Sequence, residues 1–250
     1  MGNSYIPESA MAIFAHPDDI EFSCAGTLAR WAKAGTRISY LLCTSGDVGI
    51  STPGMTREKA TEIREAEARE AARITGASEI VFLREPDGML ENTKDLRRKL
   101  VREIRRFRPE AIVCGDPTML WGGDDYINHP DHRAAGWAAV DAAFPAAGQP
   151  NLFEELETEG LKASKVRKVF VVQWEGGSYF VNIDDSIDTK IAALKAHISQ
   201  VSNLDCDALL REWASATAKG KEMQYAEAYR VVTLETDDFW QEYIQKNKQA

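Results

Sequence analysis

Met11-Ala12-Ile13-Phe14-Ala15-His16-Pro17-Asp18-Asp19 decides how this chain is read. A short unbroken apolar run leads straight into a histidine, a proline and two carboxylates. Continuous apolarity suits a strand covered on both faces, because a half-buried strand would alternate. The proline and aspartates then fit a tight turn that opens a helix. Outward from this point the pattern repeats. A helical segment runs from Glu21 to Ala34 and stops at Gly35, and Ile38 to Cys43 reads as a second buried strand. A loop holding Gly46, Gly49, Pro53 and Gly54 precedes a long charged helix over Arg57 to Thr75, closed by Gly76. Ile80 to Leu83 is a third strand, Leu96 to Phe107 a helix, and Ala111 to Cys114 a fourth strand.

Alternating strands and helices with near-continuous apolar strands imply an α/β fold: a mostly parallel, Rossmann-like sheet with helices on both faces. After His132 a small-residue helix reaches about Ala143. Phe144 to Ser164 reads as loop, Val166 to Gln173 as a strand and Asp185 to Ser199 as a helix. Asp207 to Lys219 reads as a further helix, and a strand lies around Val231. No repeat or linker interrupts the pattern. One domain over residues 1–250 is expected, with a core at about 11–200 and a helix-and-strand extension over 201–250.

The fold invites a nucleotide, yet the first strand is not followed by G-x-G-x-x-G. Two carboxylates at that turn would repel a pyrophosphate, whereas a cation suits them. His16 and Asp19 are three residues apart on a tight turn, so both can point at one ion. The second cluster, His129-Pro130-Asp131-His132, follows the fourth strand and its loop, and it holds two of the chain's four histidines. One His-Pro-Asp alone is ordinary turn chemistry. Two copies, each beyond a buried strand, point to a shared metal site in which His132 is the natural third ligand. Asp18 then remains as a general base for a bound water, and His129 as a cationic or acidic group for a developing oxyanion. Asp131 can orient a histidine by accepting its second N–H. A His/Asp/His set suits Zn2+, and also iron(II), cobalt or nickel.

At these residues the chain resembles the LmbE-like or PIG-L family of zinc-dependent N-acetylglucosamine deacetylases. Ala15 to Asp19 and His129 to His132 carry its two signatures. Thr44-Ser45-Gly46-Asp47-Val48-Gly49, Arg64-x-x-Glu67-x-x-x-Ala71, Pro86-Asp87-Gly88 and Lys190 through His197-Ile198-Ser199-Gln200 match weaker elements in order. The resemblance covers roughly Met11 to Gln200 and implies an LmbE-like deacetylase fold. It implies zinc on His16, Asp19 and His132, Asp18 as general base, and His129 supported by Asp131. It makes Arg64 a substrate-binding residue, against the salt-bridged exposure usual in so charged a helix. Ile20 stands where many members have Glu, so the role of Glu21 stays open, as do those of Asp47, Trp121, Tyr126 and His197. The substrate implied is a small N-acetylated sugar or glycoconjugate. A thiol-conjugate amidase would use the same site chemistry, and a non-catalytic metal- or sugar-binding module would need neither Asp18 nor His129.

Composition narrows the partners. Of 250 residues 28% are charged and the net charge is −9, which disfavours nucleic acid and anionic lipid. The basic stretch from Leu96 to Phe107 carries its apolar residues at helical spacing, so it reads as the solvated face of a packed helix. No apolar run approaches the roughly 20 residues that span a bilayer. Met1 to Ala10 lack a signal-peptide pattern. Cys24, Cys43, Cys114 and Cys206 are scattered, as buried thiols are. A cytoplasmic location is expected, and a homo-oligomer is compatible with the composition.

Overall fold

The computed structural model describes residues 5–248; residues 1–4 and 249–250 lie outside the description, as does the start of the segment judged to lack a leader pattern. Along the chain come β1 (Ser9–Phe14), α1 (Asp19–Ser23), α2 (Ala25–Lys33), β2 (Arg37–Thr44), α3 (Arg57–Thr75), β3 (Glu79–Glu85), α4 (Lys94–Phe107) and β4 (Ala111–Cys114). Next are α5 (Pro130–Ala143), a 3-10 turn at Ala146–Gly148, α6 (Glu154–Thr158), β5 (Lys168–Val172) and β6 (Tyr179–Asn182). The last part holds α7 (Ile187–Lys195), α8 (Ile198–Val201), α9 (Cys206–Ala218), β7 (Ala226–Thr233) and α10 (Asp237–Lys248). Among the described residues the strands form one sheet in the order β3-β2-β1-β4-β5-β7-β6. β1 to β5 are mutually parallel, and β7 runs antiparallel to β5 and β6.

Successive residues of β1 explain the two layers. Ala10, Ala12 and Phe14 join a core with Trp31, Leu28, Phe170 and Ile191 on one face. Met11, Ile13 and Ala15 join Leu100, Ile104, Ala139 and Val169 on the other. A strand covered on both sides needs apolar residues at every position, as this one has. The doubly covered, mostly parallel α/β sheet expected from the sequence is therefore borne out.

Several elements differ in detail. The helix read over Glu21 to Ala34 breaks at Cys24 into α1 and α2, and the one read over Asp185 to Ser199 breaks at Ala196–His197 into α7 and α8. Phe144 to Ser164 is not all loop: it carries the 3-10 turn and α6. Arg105, on the supposedly solvated face of α4, is buried and donates to the carbonyls of Ala146, Ala147, Gln149 and Leu152, fixing that segment. β7 lies between β5 and β6, so residues beyond 200 supply an interior strand. All four cysteines are free and buried.

Strand order reverses between β1 and β4, whose neighbours on either side are β2 and β5. Open α/β sheets leave a crevice at such a switch point, beyond the carboxyl ends of the strands. His16 follows β1 by two residues, and Gly115 opens the loop after β4.

Candidate active site

The turn after β1 is strained. Asp18 has φ 98°, a left-handed conformation that costs a non-glycine residue of order 1–3 kcal/mol. Two contacts hold it. The carboxylate of Asp19 folds back and accepts from the N–H groups of Ala15 (3.1 Å) and His16 (2.8 Å). Arg64, reaching across from α3, donates to the carbonyl of Pro17 (2.5 Å), to Asp18 Oδ2 (2.9 Å) and to the carbonyl of Gly46 (3.0 Å). Arg64 is buried, and a Cβ on Gly46 or Gly49 would collide with its guanidinium. Those two glycines leave room for the arginine.

The second histidine cluster opens α5. His129 is the N-cap: its Nδ1 accepts from the Asp131 N–H at 3.2 Å, which leaves Nε2 to carry the proton of the neutral ring. His132, one turn on, points Nε2 at Asp19 Oδ1 (3.0 Å), while its Nδ1 meets Asn128 Oδ1 at 3.0 Å. His16 Nδ1 lies 3.6 Å from Asp19 Oδ2. Its Nε2 faces two carboxylates, Asp87 Oδ1 at 3.1 Å and Asp131 Oδ2 at 3.3 Å. Asp131 is fully buried and also accepts from the N–H groups of Gly88 and Leu90. Its carboxylate also lies 3.9 Å from His129 Nδ1, so the side chain faces both histidines, with the nearer contact to His16.

These contacts set the charges. Burial opposes the protonated form of His16, but Asp19, Asp131 and Asp87 outweigh it and push the ring up to about 12. Burial likewise opposes protonation of His132, and Asp19 reverses the direction to a raised value. Asp19 is desolvated too, yet His132 and His16 hold it well below the ordinary carboxylate range. Asp18 goes the other way: burial pushes it up to about 7, against the pull of Arg64. Burial and the neighbouring His16 lower His129.

Sequence reasoning placed His16, Asp18, Asp19, His129, Asp131 and His132 together, and the structure brings all six into one crevice. Arg64 reaches it as well, although its donors meet Asp18 and two carbonyls. Asp87 was matched by resemblance but not read as a site residue. The signal was available, since Pro86-Asp87-Gly88 turns at the carboxyl end of β3. Glu21 and His197 form a buried pair behind the site, Oε2 to Nε2 at 3.2 Å, leaving Glu21 Oε1 and His197 Nδ1 without partners. Asp47 pairs with Arg57 on the rim. Trp121 and Tyr126 sit on a short hairpin closed by Gly122 N–H to Tyr126 O (2.9 Å) and Asn128 N–H to Leu120 O (2.8 Å). The crevice widens into a cleft of about 1020 Å³.

Two sets of side chains could hold a metal by proximity, His16 with His129 and His132, and His16 with Asp87 and Asp131, their ligand atoms lying within 4.8 Å of one another. Asp19 adds a contact shared by His16 and His132. Ligands at zinc-like distances in a tetrahedral site stand ~3.4 Å apart, and the 3.0 and 3.6 Å separations around Asp19 bracket that spacing. The residues therefore fit a divalent metal.

Residues 11–143 match the PIG-L family, described as GlcNAc-PI de-N-acetylase. The diacetylchitobiose deacetylase of Thermococcus kodakarensis is 30% identical over 193 residues, covering 77% of this chain and 70% of that protein. The 1D-myo-inositol 2-acetamido-2-deoxy-alpha-D-glucopyranoside deacetylase 2 of Saccharopolyspora erythraea is 30% identical over 233 residues, covering 79% of this chain and 85% of that one. The solved N,N'-diacetylchitobiose deacetylase of Pyrococcus horikoshii shares the fold, with a TM-score of 0.83, 24% identity and coverage of 91% and 84%. The class these findings define is an N-deacetylase, a hydrolase of linear amides. Within that class, the chain belongs to the PIG-L family.

Proposed function

We propose that the chain removes the acetyl group from an N-acetylated amino sugar of the N-acetylglucosamine type, with water activated at a zinc ion. One observation carries this reading: Asp19 lies between His16 Nδ1 and His132 Nε2, with a second, strained carboxylate on Asp18 beside it. His16, Asp19 and His132 would hold the metal, which when bound supplies Lewis acidity to the acetamide carbonyl and to water.

The chain's own residues supply the remaining steps. Asp18 takes a proton from the attacking water as its oxygen joins the carbonyl carbon. His129 presents Nε2–H to the oxyanion, the orientation its Nδ1 bond to the Asp131 N–H dictates. The carbon–nitrogen bond then breaks as Asp18 passes the proton it took from water to the departing amine, and acetate leaves. Asp131 and Asp87 accept the Nε2–H of His16 and so direct its Nδ1 toward Asp19. Arg64 acts here as the clamp on Asp18. A binding module would have no use for a carboxylate held in a strained backbone beside the ligands. The buried, unpaired cysteines support a cytoplasmic setting.

The test is amine release from N-acetylglucosamine derivatives by metal-loaded protein. Asp18→Asn should lower kcat about 100-fold or more while the metal content, read by elemental analysis, stays at one per chain. Unchanged turnover in that variant would remove Asp18 from the mechanism.

A further inference from the structure

Asn128 stands between His132 and the hairpin at the cleft, and each of its side-chain bonds has a definite direction. The residue is buried, one position before the cap of α5. Its Nδ2 donates to the carbonyl of Met119 at 2.9 Å. Only the amide nitrogen can donate to a carbonyl, so Oδ1 has to face His132 Nδ1, 3.0 Å away. An amide oxygen only accepts, so Nδ1 of His132 carries a hydrogen. Nε2, which points at Asp19 Oδ1 at 3.0 Å, is then the nitrogen whose lone pair a cation would take. The Met119 carbonyl thus sets the tautomer and the tilt of the His132 ring through two hydrogen bonds in series.

The other end of this series belongs to the hairpin. The N–H of Asn128 donates to Leu120 O at 2.8 Å, and that of Gly122 to Tyr126 O at 2.9 Å. Trp121 and Ile127 form an antiparallel bridge between the two arms. Beyond those bonds the tip is open, with Trp121 64% exposed and Ile127 65%. Met119, Trp121, Tyr126 and Asn128 all line the cleft. His16, by contrast, is oriented by Asp87 and Asp131, which lie on other segments.

We propose that Asn128 is a positioning residue that joins the hairpin to the metal. Its Oδ1 orients His132 for the ion, and its Nδ2 holds the base of the hairpin. This rests on the metal site of the deacetylase reading and not on its substrate. The coupling is reciprocal: a hairpin held in place tightens the ion, and the ion stiffens the hairpin.

Two variants separate the two bonds. Asn128→Ala removes both, whereas Asn128→Asp keeps an acceptor for His132 Nδ1 but sets a second oxygen against the Met119 carbonyl. Zinc affinity, read by competition with a chromogenic chelator, should fall about 10- to 100-fold in Asn128→Ala. In Asn128→Asp it should equal or exceed that of the parent, because a carboxylate orients a histidine ligand at least as well. Chymotrypsin cleavage after Trp121 and Tyr126, with the sites located by mass spectrometry, reads the hairpin. Zinc should slow that cleavage about fivefold or more in the parent and in neither variant. Parental zinc affinity in Asn128→Ala would overturn the positioning of His132. Zinc protection that persists in Asn128→Asp would overturn the link to the hairpin. If Asn128→Ala fails to fold, Asn128→Asp decides alone, and weakened zinc binding or retained protection there overturns the inference. A parent chain that binds no zinc would sink the metal site of the deacetylase reading, and this inference with it.

Discussion

At the scale of single residues, the guanidinium of Arg64 is set in place by folding and not by its neighbours in the chain. The charged pattern of α3 predicts an exposed, salt-bridged arginine, and family resemblance predicts a substrate contact. The first fails on burial, whereas the second accords with Arg64 lining the cleft. Arg64 is buried against Pro17, Asp18 and Gly46, and its reach depends on two glycines a loop away. Sequence spacing exposes the His-Pro-Asp clusters because their residues are neighbours in the chain. The partners of Arg64 lie 18, 46 and 47 positions from it, and only folding joins them. The same holds for Asp87 and for the Glu21–His197 pair. A positioning role has a kinetic signature. Arg64→Lys keeps the charge but has a single ammonium for three acceptors set in different directions. In steady-state assays kcat should fall about 10- to 100-fold with KM nearly constant, because Asp18 is displaced by a fraction of an ångström. A raised KM at unchanged kcat would instead restore Arg64 to the substrate.

At the scale of elements, legibility followed burial and length. β1, β2 and β4 are buried at nearly every position, so unbroken apolar runs reveal them. α3 is framed by Thr56, whose side chain accepts from the Lys59 N–H, and by Gly76 with φ 83°, and both ends were readable. β6 has four residues, only one of them fully buried, and gives no such signal. β7 is buried only in its first half, and no local pattern places it inside the sheet. What holds β7 there is a polar anchor. Glu227 and Lys190 pair at 2.6 Å, each almost wholly buried. Glu227 also accepts from the N–H groups of Gly26 (3.0 Å) and Thr27 (2.7 Å) at the start of α2. One carboxylate thus ties β7, α2 and α7 together. Glu227→Gln keeps the shape but leaves the Lys190 charge uncompensated, at a cost of about 3–5 kcal/mol. Thermal unfolding should show a midpoint about 10 °C lower for a chain of this size. Pairing it with Lys190→Met should recover part of that loss. A double variant no better than the single one would show that the anchor works through the backbone N–H bonds and not through the ion pair.

At the scale of the whole molecule, the reversal of strand order brings four carboxylates into one crevice. Asp18 and Asp19 come from β1's end, Asp87 from the turn after β3, and Asp131 from the start of α5. Their neighbours are three histidines and one committed arginine, within a chain of net charge −9. Histidine protonation compensates part of this negative charge, and a divalent cation held by His16, Asp19 and His132 would compensate it more fully while joining β1 to α5 directly. Metal should therefore stabilise the entire fold and not the site alone, because the segments it joins flank the central strands. A ligand bound only by the native state adds about 2.7 kcal/mol when its free concentration is 100 times its Kd. For a chain of this length that corresponds to ~5–10 °C in the unfolding midpoint. Stripping the metal with a chelator should lower the midpoint by that amount, and zinc should restore it. His132→Ala should unfold at one midpoint with or without zinc, since one arm of the bridge from β1 to α5 is gone. Should that variant still respond to zinc as the parent does, the ion would have to sit on the other cluster, between His16, Asp87 and Asp131, where His132 takes no part.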